Sequence, residues 1–256
     1  MFLKYQNAKF RKRSRQEDPN LVQNKVLSDQ YLQMTYKEIL DFQLSLSLRP
    51  LKDQVVVELG SAGGITKLLY PEILTSDVRM QDGVDFELND DFSLPFVDGS
   101  VDLIVAKDVL HHISDPQSHF LEIDRVLKLG GSVVYADPNW NTVSKLVFTF
   151  FHPEVFDDKQ TGWKFNSPDP MYSNQAIPYI IFVRDIQIFN SLNPKLRAKI
   201  YSKRMNGLSF LLSGGVMNRS FIPSTVLLRL RRFEVGKNFL MAVFGTIRVI
   251  QVTKVE

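Results

Sequence analysis

Ten residues, VVVELGSAGG (55–64), put an acid near the end of an apolar run, with a loop of small residues directly after it. A strand followed by a glycine-rich loop commonly cradles a nucleotide, because small residues let a ligand approach the main chain. Glu58 narrows the chemistry. A pyrophosphate beside a carboxylate is repelled, whereas a cation is attracted. The dinucleotide fingerprint G-x-G-x-x-G is also missing, since Ala62 and Ile65 stand at the second and third glycine positions counted from Gly60. Ile65 would block the close helix–strand packing that the third glycine serves. The stretch therefore fits a cationic nucleoside. A second acid, Asp77, follows 19 residues after Glu58 at the end of LTSDV. That spacing suits a carboxylate meeting ribose hydroxyls; by itself, Asp77 would read as a helix cap or turn residue.

The elements that must hold these acids are legible as patterns. Residues 19–48 show helical spacing of apolar residues and predict one or two helices. QVVVEL (54–59), LTSDV (74–78), VDLIVAKDVL (101–110), running into a loop, and SVVYADP (132–138) read as strands. GITKLLYPEI (64–73) reads as a helix, and SHFLEIDRVLKLGG (118–131) as an amphipathic helix closed by glycine. Strands alternating with helices predict a parallel α/β sheet. After Asn141 the alternation ends. Residues 141–232 carry helical stretches rich in Phe, Leu and Ile and predict a helical cap, with SGG (213–215) as a helix-end turn or a substrate loop. Residues 238–255 return to strand character and predict an antiparallel hairpin turning at Gly245.

VVVELGSAGG, NDDFSLPFVDGSVDLIVAKDVLHHISDP and EIDRVLKLGGSVVYADP together resemble class I S-adenosylmethionine-dependent methyltransferases, over roughly residues 50–140. The nearest branch includes ubiquinone- and menaquinone-type and other small-molecule methyltransferases. S-adenosylmethionine carries an ammonium and a sulfonium and no phosphate, so it suits an acid in this loop; its product is S-adenosylhomocysteine. The family pattern is E/D-x-G-x-G-x-G, and Ala62 stands at its middle glycine. The resemblance implies that Glu58, Gly60, Ser61, Ala62 and Gly63 line the methionine end, Asp77 holds the ribose and Val78 lies along the adenine. It also implies that Asp90, with Asp91 as its neighbour candidate, meets the adenine amino group. Lys107 would contribute main chain near the methionine moiety. The implied fold is a Rossmann-like doubly wound sheet, mostly parallel with an antiparallel last strand, plus N-terminal helices and a helical cap insert.

Methyl transfer to a hydroxyl needs a positioned base. DVLHH puts His111 and His112 at the carboxyl end of the fourth strand, and Asp137 ends the next one. Related sugar and natural-product methyltransferases use a His–Asp pair from these places, so the resemblance implies His111 as base and Asp137 as its partner. FHPEVFD (151–157) offers His152 and Glu154 as a second candidate at the start of the cap. Each histidine has a plainer reading, as a satisfied core residue or a His-Pro turn. Asn174, Gln175 and Arg184 are polar residues in an apolar stretch and are candidates for meeting a sugar. The cap weakly resembles a bacterial branch associated with polysaccharide or glycolipid assembly.

Composition bounds these readings. The 256-residue chain has no cysteine, which excludes disulfides, thiolate metal sites and a cysteine nucleophile. Its four histidines show no metal-ligand spacing, and no metal is expected. Six Lys/Arg fall within residues 1–15, read either as a solvated tail or as contact with anionic lipid headgroups or an anionic substrate. Phe148, Phe150, Phe151 and Phe156 read as core, or, if exposed, as a lipid-facing patch. No basic–aromatic interleaving suggests nucleic acid. The N-terminus lacks a secretory apolar region and no apolar run is long enough to span a membrane, so a cytoplasmic location is expected, with the inner membrane face as a site of contact. The expected organisation is one domain: tail and helices (1–48), cofactor core (49–140), substrate cap (141–232) and closing strands (233–256). The expected activity is methylation of a small-molecule hydroxyl, on a sugar or glycolipid intermediate. The alternatives are C- or N-methylation of a quinone-like or other metabolite, or a non-catalytic cofactor-binding module. Oligomeric state is left open.

Overall fold

Strands buried on both faces must be apolar almost throughout, and the runs after Gln54 and Ser100 meet that demand. In the computed structural model, which describes residues 21–47, 49–61, 64–88, 93–152, 154–165, 173–216 and 220–256, these runs form the middle of a seven-stranded sheet. In chain order, helices α1 (Leu21–Ser28) and α2 (Gln30–Leu44) precede β1 (Val56–Leu59). Then come α3 (Ile65–Leu69), β2 (Leu74–Asp77), β3 (Phe86–Glu87), β4 (Val101–Lys107), a 3-10 turn (Leu110–His112), α4 (Pro116–Val126) and β5 (Leu127–Pro138). The remainder is α5 (Thr142–Phe150), α6 (Ile177–Tyr179) running into a π-helical turn (Ile180–Arg184), α7 (Ile186–Leu192), β6 (Leu196–Met205), α8 (Leu208–Ser213), α9 (Ser224–Glu234), α10 (Asn238–Phe244) and β7 (Ile247–Lys254).

The strand order is β3-β2-β1-β4-β5-β7-β6. β1 to β5 pair in parallel, and β7 runs antiparallel to both β5 and β6. Alternate residues divide the sheet between two cores. Val57, Leu59, Ile104, Ala106, Val133 and Tyr135 pack on Phe120 and Ile123 of α4 and on Ile177, Ile180 and Phe189 of the later helices. Val56, Leu103, Val105, Val134 and Ala136 face Ile39, Leu40 and Leu44 of α2. Asp29 starts α2 as its cap, its carboxylate accepting the Tyr31 and Leu32 N–H groups. Both faces are thus closed, and the carboxyl ends of β1, β2, β4 and β5 lie along one edge, where open α/β sheets bind ligands.

Four local expectations change. The helix expected over 64–73 is only α3, Ile65–Leu69; the chain turns at Tyr70–Ile73 before β2. The stretch 118–131 is not helical to its end: α4 stops at Val126 and the chain enters β5 at Leu127. Its glycines serve the strand. A Cβ on Gly131 would meet Lys128 O at 2.9 Å and Asp102 O at 3.0 Å, beside the irregular register between Val101 and Leu103. The cap is not wholly helical either, because residues 196–205 form β6. Its opening LRAKIY alternates apolar and polar, a strand period set among helical neighbours. Residues 238–244 are α10 rather than the first arm of a hairpin; their apolar run has no alternation and satisfies a helix equally well. The antiparallel partners of β7 are therefore β5 and β6. SGG forms the turn that ends α8, with Gly214 and Gly215 at φ +72° and +57°.

Phe148 is buried and stacks on Phe156, with ring centroids 6.1 Å apart, whereas Phe150 and Phe151 are exposed. Among the described residues no helix is long and apolar enough to cross a membrane. The basic stretch 1–15 lies outside the described residues.

Candidate active site

The loop after β1 turns through Gly60, whose φ is +69°. A Cβ there would lie 2.5 Å from Val109 Cγ2, so this loop packs directly against the turn that follows β4. Gly64, at φ +76°, starts α3, and a Cβ on it would fall 2.6 Å from the Gly83 backbone. Small residues are thus required by both conformation and space. Ser61 N donates to Ser76 O at 2.9 Å, tying the loop to β2. Ala62 and Gly63 lie outside the described residues, as do Asp90 and Asp91.

Glu58 is buried at the end of β1. Its Oε1 accepts the Thr66 hydroxyl at 2.6 Å. Its Oε2, and the Ser61 Oγ, are buried without a hydrogen-bond partner among the described residues. Burial pushes the Glu58 carboxyl up to about 7; the Thr66 hydrogen bond opposes this, Asp77 adds to it and Lys107 opposes it. Asp77 ends β2 within electrostatic range of Glu58. Val78, next in the chain, is exposed. Lys107 ends β4 with its ammonium 4.3 Å from the centre of the Tyr36 ring and paired with Asp108. Burial disfavours its charge, but Asp108 and Tyr36 outweigh that and raise its pKa. Buried orphan oxygens beside two acids are what a ligand with a cationic end and hydroxyl groups would satisfy. The described loop residues thus fit S-adenosylmethionine.

The second half of the site follows β4. Asp108 adopts φ +55°, a left-handed conformation that aspartate tolerates better than most residues, and sends the chain into the 3-10 turn. Asp137, fully buried at the end of β5, anchors that turn. It accepts the backbone N–H groups of Leu110 and His111 at 3.4 and 3.3 Å, and His111 Nδ1 at 2.7 Å. A buried carboxylate is tolerable only with partners of this kind.

His111 Nε2 faces the other way, 3.3 Å from Glu154 Oε2. Burial alone would disfavour the imidazolium, but the two carboxylates outweigh it and push the His111 pKa up to about 10. His112 stacks beside it, ring centroids 4.3 Å apart, with Nε2 3.8 Å from Glu154 Oε1. The chain after α5 delivers Glu154 and His152. Gln175 Nε2 donates to Glu154 Oε2 at 2.6 Å and to His152 Nδ1 at 2.9 Å. Asn174 N donates to His111 O at 3.1 Å and fastens this segment to the turn.

His111, Asp137 and His152 therefore converge on one cluster, joined by Glu154, His112 and Gln175. The short motif FHPEVFD contains Glu154, but no spacing in the sequence links it to His111, 43 residues earlier. The sugar-contact candidates divide. Asn174 uses its side chain to hold Asp157, Gln160 and Ala176, and Arg184 binds Asp185 and the carbonyls of Asp158 and Gln160. Both brace the segment they sit in.

A methyltransferase-domain family model matches residues 70–135. An uncharacterised 37.1 kDa protein of transposon Tn4556 from Streptomyces fradiae is 39% identical over 61 residues, covering 24% of this chain and 18% of its own length. The chain thus spans less than a fifth of that curated relative. Among solved structures, the YcgJ protein of Bacillus subtilis is similar, with 17% identity and a TM-score of 0.46, over 79% of this chain and 92% of that one. The methyltransferase solved with the Trm112 activator of Haloferax volcanii has 16% identity and a TM-score of 0.48, over 91% and 93%. The matched residues run from just before β2 into β5, so over this span the chain resembles methyltransferase domains.

Proposed function

We propose that this protein transfers a methyl group from S-adenosylmethionine to a hydroxyl oxygen of a small molecule, with a sugar or glycolipid intermediate as the acceptor class. One observation carries the reading: the acid-bearing loop after β1 packs, through Gly60 and Val109, on the turn that holds His111 between two buried carboxylates. A donor pocket thus adjoins a proton-handling cluster.

When bound, the donor supplies a methyl group made electrophilic by its sulfonium. The chain's residues do the rest. Glu58 and Ser61 serve the cationic end of the donor, and Asp77 its ribose. Lys107 supplies main chain beside its methionine moiety. Val78 flanks its adenine, and Asp90 or Asp91 takes the adenine amino group. In the cluster, an imidazole with a pKa of about 10 is a charged donor at neutral pH and has no lone pair to offer. The base role therefore passes from His111 to Glu154. The acceptor hydroxyl parts the His111–Glu154 contact, gives its proton to Glu154, and has the developing charge on its oxygen stabilised by the His111 imidazolium. Asp137 fixes the imidazolium, and Gln175 aims the Glu154 carboxylate with His152 braced behind it.

Calorimetric titration with S-adenosylmethionine, S-adenosylhomocysteine and NADH, followed by transfer of labelled methyl groups to a panel of hydroxylated sugars, tests this. The two methionine-derived ligands bind and NADH does not, and Asp77→Ala abolishes binding. Glu154→Gln keeps donor binding and lowers transfer by about 10²–10⁴-fold. A folded protein that binds neither ligand sinks the reading. Undiminished transfer by Glu154→Gln sinks the assignment of the base.

A further inference from the structure

We propose that the cluster at the carboxyl end of β4 is a binding site for a divalent transition-metal ion of the zinc class, ligated by His111, His112 and Glu154. One ligand atom from each of the three lies within 4.8 Å of the other two. Two imidazoles and one carboxylate make a common three-ligand set for such ions, leaving a position open; the ion takes the place of the proton that His111 Nε2 otherwise carries, which binding releases. Imidazole donors favour zinc, cobalt or iron over magnesium and calcium, which prefer oxygen.

The distances suit the ion. Metal–ligand bonds of roughly 2.1 Å set tetrahedral ligands about 3.4 Å apart. Here Glu154 Oε2 stands 3.3 Å from His111 Nε2 and its Oε1 3.8 Å from His112 Nε2, with one ligand atom from each residue within 4.8 Å of the others, so the side chains must draw together to close the set.

The surroundings are those of a metal centre rather than of a chance contact. A ligating histidine usually donates its other ring nitrogen to a carboxylate. His111 Nδ1 does so to the fully buried Asp137 at 2.7 Å. The carboxylate ligand is braced in turn by the Gln175 amide at 2.6 Å. Asp137 and Glu154, both buried, also give the pocket the charge that a cation balances.

The site itself stands on this geometry. Its consequence for turnover rests on the proposed function: a metal-bound Glu154 cannot take the acceptor's proton, so zinc and methyl transfer compete for the same atoms.

The test titrates the purified full chain, free of any histidine tag, with Co²⁺ followed by visible absorption and with Zn²⁺ followed by calorimetry. The expected result is one equivalent bound, with a zinc Kd on the order of micromolar or tighter. Glu154→Gln and His112→Asn each weaken binding at least about tenfold, and Asp137→Asn weakens it by about 10–100-fold, with circular dichroism reporting that each variant is folded. No uptake at near-millimolar metal, or uptake that both Glu154→Gln and His112→Asn leave unchanged, overturns the site. The binding readout needs neither donor nor acceptor, so its failure is distinct from failure of the methyl-transfer reading. Methyl transfer that proceeds undiminished with zinc bound overturns the competition.

Discussion

Thr66 donates its hydroxyl to Glu58 across 2.6 Å, tying the first turn of α3 to the acid that ends β1. The same acid lies buried beside Asp77, with its second oxygen lacking a partner among the described residues. On the proposed function, the donor's cationic end meets a carboxyl group that ionises near neutrality, so its charge is drawn out as the cation arrives.

Glu58 should make both stability and donor affinity depend on pH. Its folded-state pKa, about 7, lies above the usual 4.5. The protonated carboxyl favours the fold; that contribution is whole below pH 4.5 and is lost as pH rises through 7. Urea unfolding of the ligand-free protein should show wild type losing on the order of 3 kcal/mol relative to Glu58→Gln across this window. Affinity for the cationic donor should strengthen over the same range in wild type only. Parallel stability curves for the two proteins would remove Glu58 as the titrating group.

His119 should act with the opposite sign. It is buried against the Tyr135 hydroxyl at 2.7 Å, and burial lowers its pKa from 6.5 to about 4. The neutral imidazole is the one that fits, so its contribution is whole above pH 6.5 and is lost as pH falls through 4. Thermal melts from pH 7 to 4 should steepen less in His119→Gln, with a difference on the order of 3 kcal/mol at the acid end. Equal acid sensitivity would place the acid-labile group elsewhere.

Gly64 is the position where one methyl group should do most harm. At φ +76°, with a Cβ falling 2.6 Å from Gly83 backbone, Gly64→Ala faces both a left-handed conformation and a backbone clash. Destabilisation of roughly 1–3 kcal/mol is expected, together with weaker donor binding, since the loop and α3 must shift. A variant with wild-type melting temperature and donor affinity would show that the Gly64–Gly83 contact yields at no cost.

The parallel half of the fold was legible because its signals are local. Near-continuous apolar runs mark β1 and β4, and the glycines of the loop answer to conformational needs at their own positions. The antiparallel half was harder to read. β6 announces itself through LRAKIY, but its partner lies more than forty residues on, and the apolar run of α10 intervenes with no period that separates helix from strand. The candidate site divides in the same way. Glu58, Asp77, His111 and Asp137 stand at strand ends, which a sequence pattern can locate. Glu154 acquires its place only when the segment after α5 folds back and Gln175 reaches it. Its charge relation to His111, which decides which of the two holds the proton, is a property of tertiary distance.

The position of β7 governs how the molecule comes together during synthesis. β7 lies between β5 and β6 and follows both in the chain. Until it emerges from the ribosome, β5 presents a bare edge and β6 has no neighbour to pair with, a state open to association between nascent chains. Pairing β7 to β5 also closes a loop of about a hundred residues, so this step is late and slow relative to the local helices. β7 is thus the keystone of the sheet, and a ribosome stalled before Ile247 would leave the neighbouring strands with their most adhesive edges uncovered.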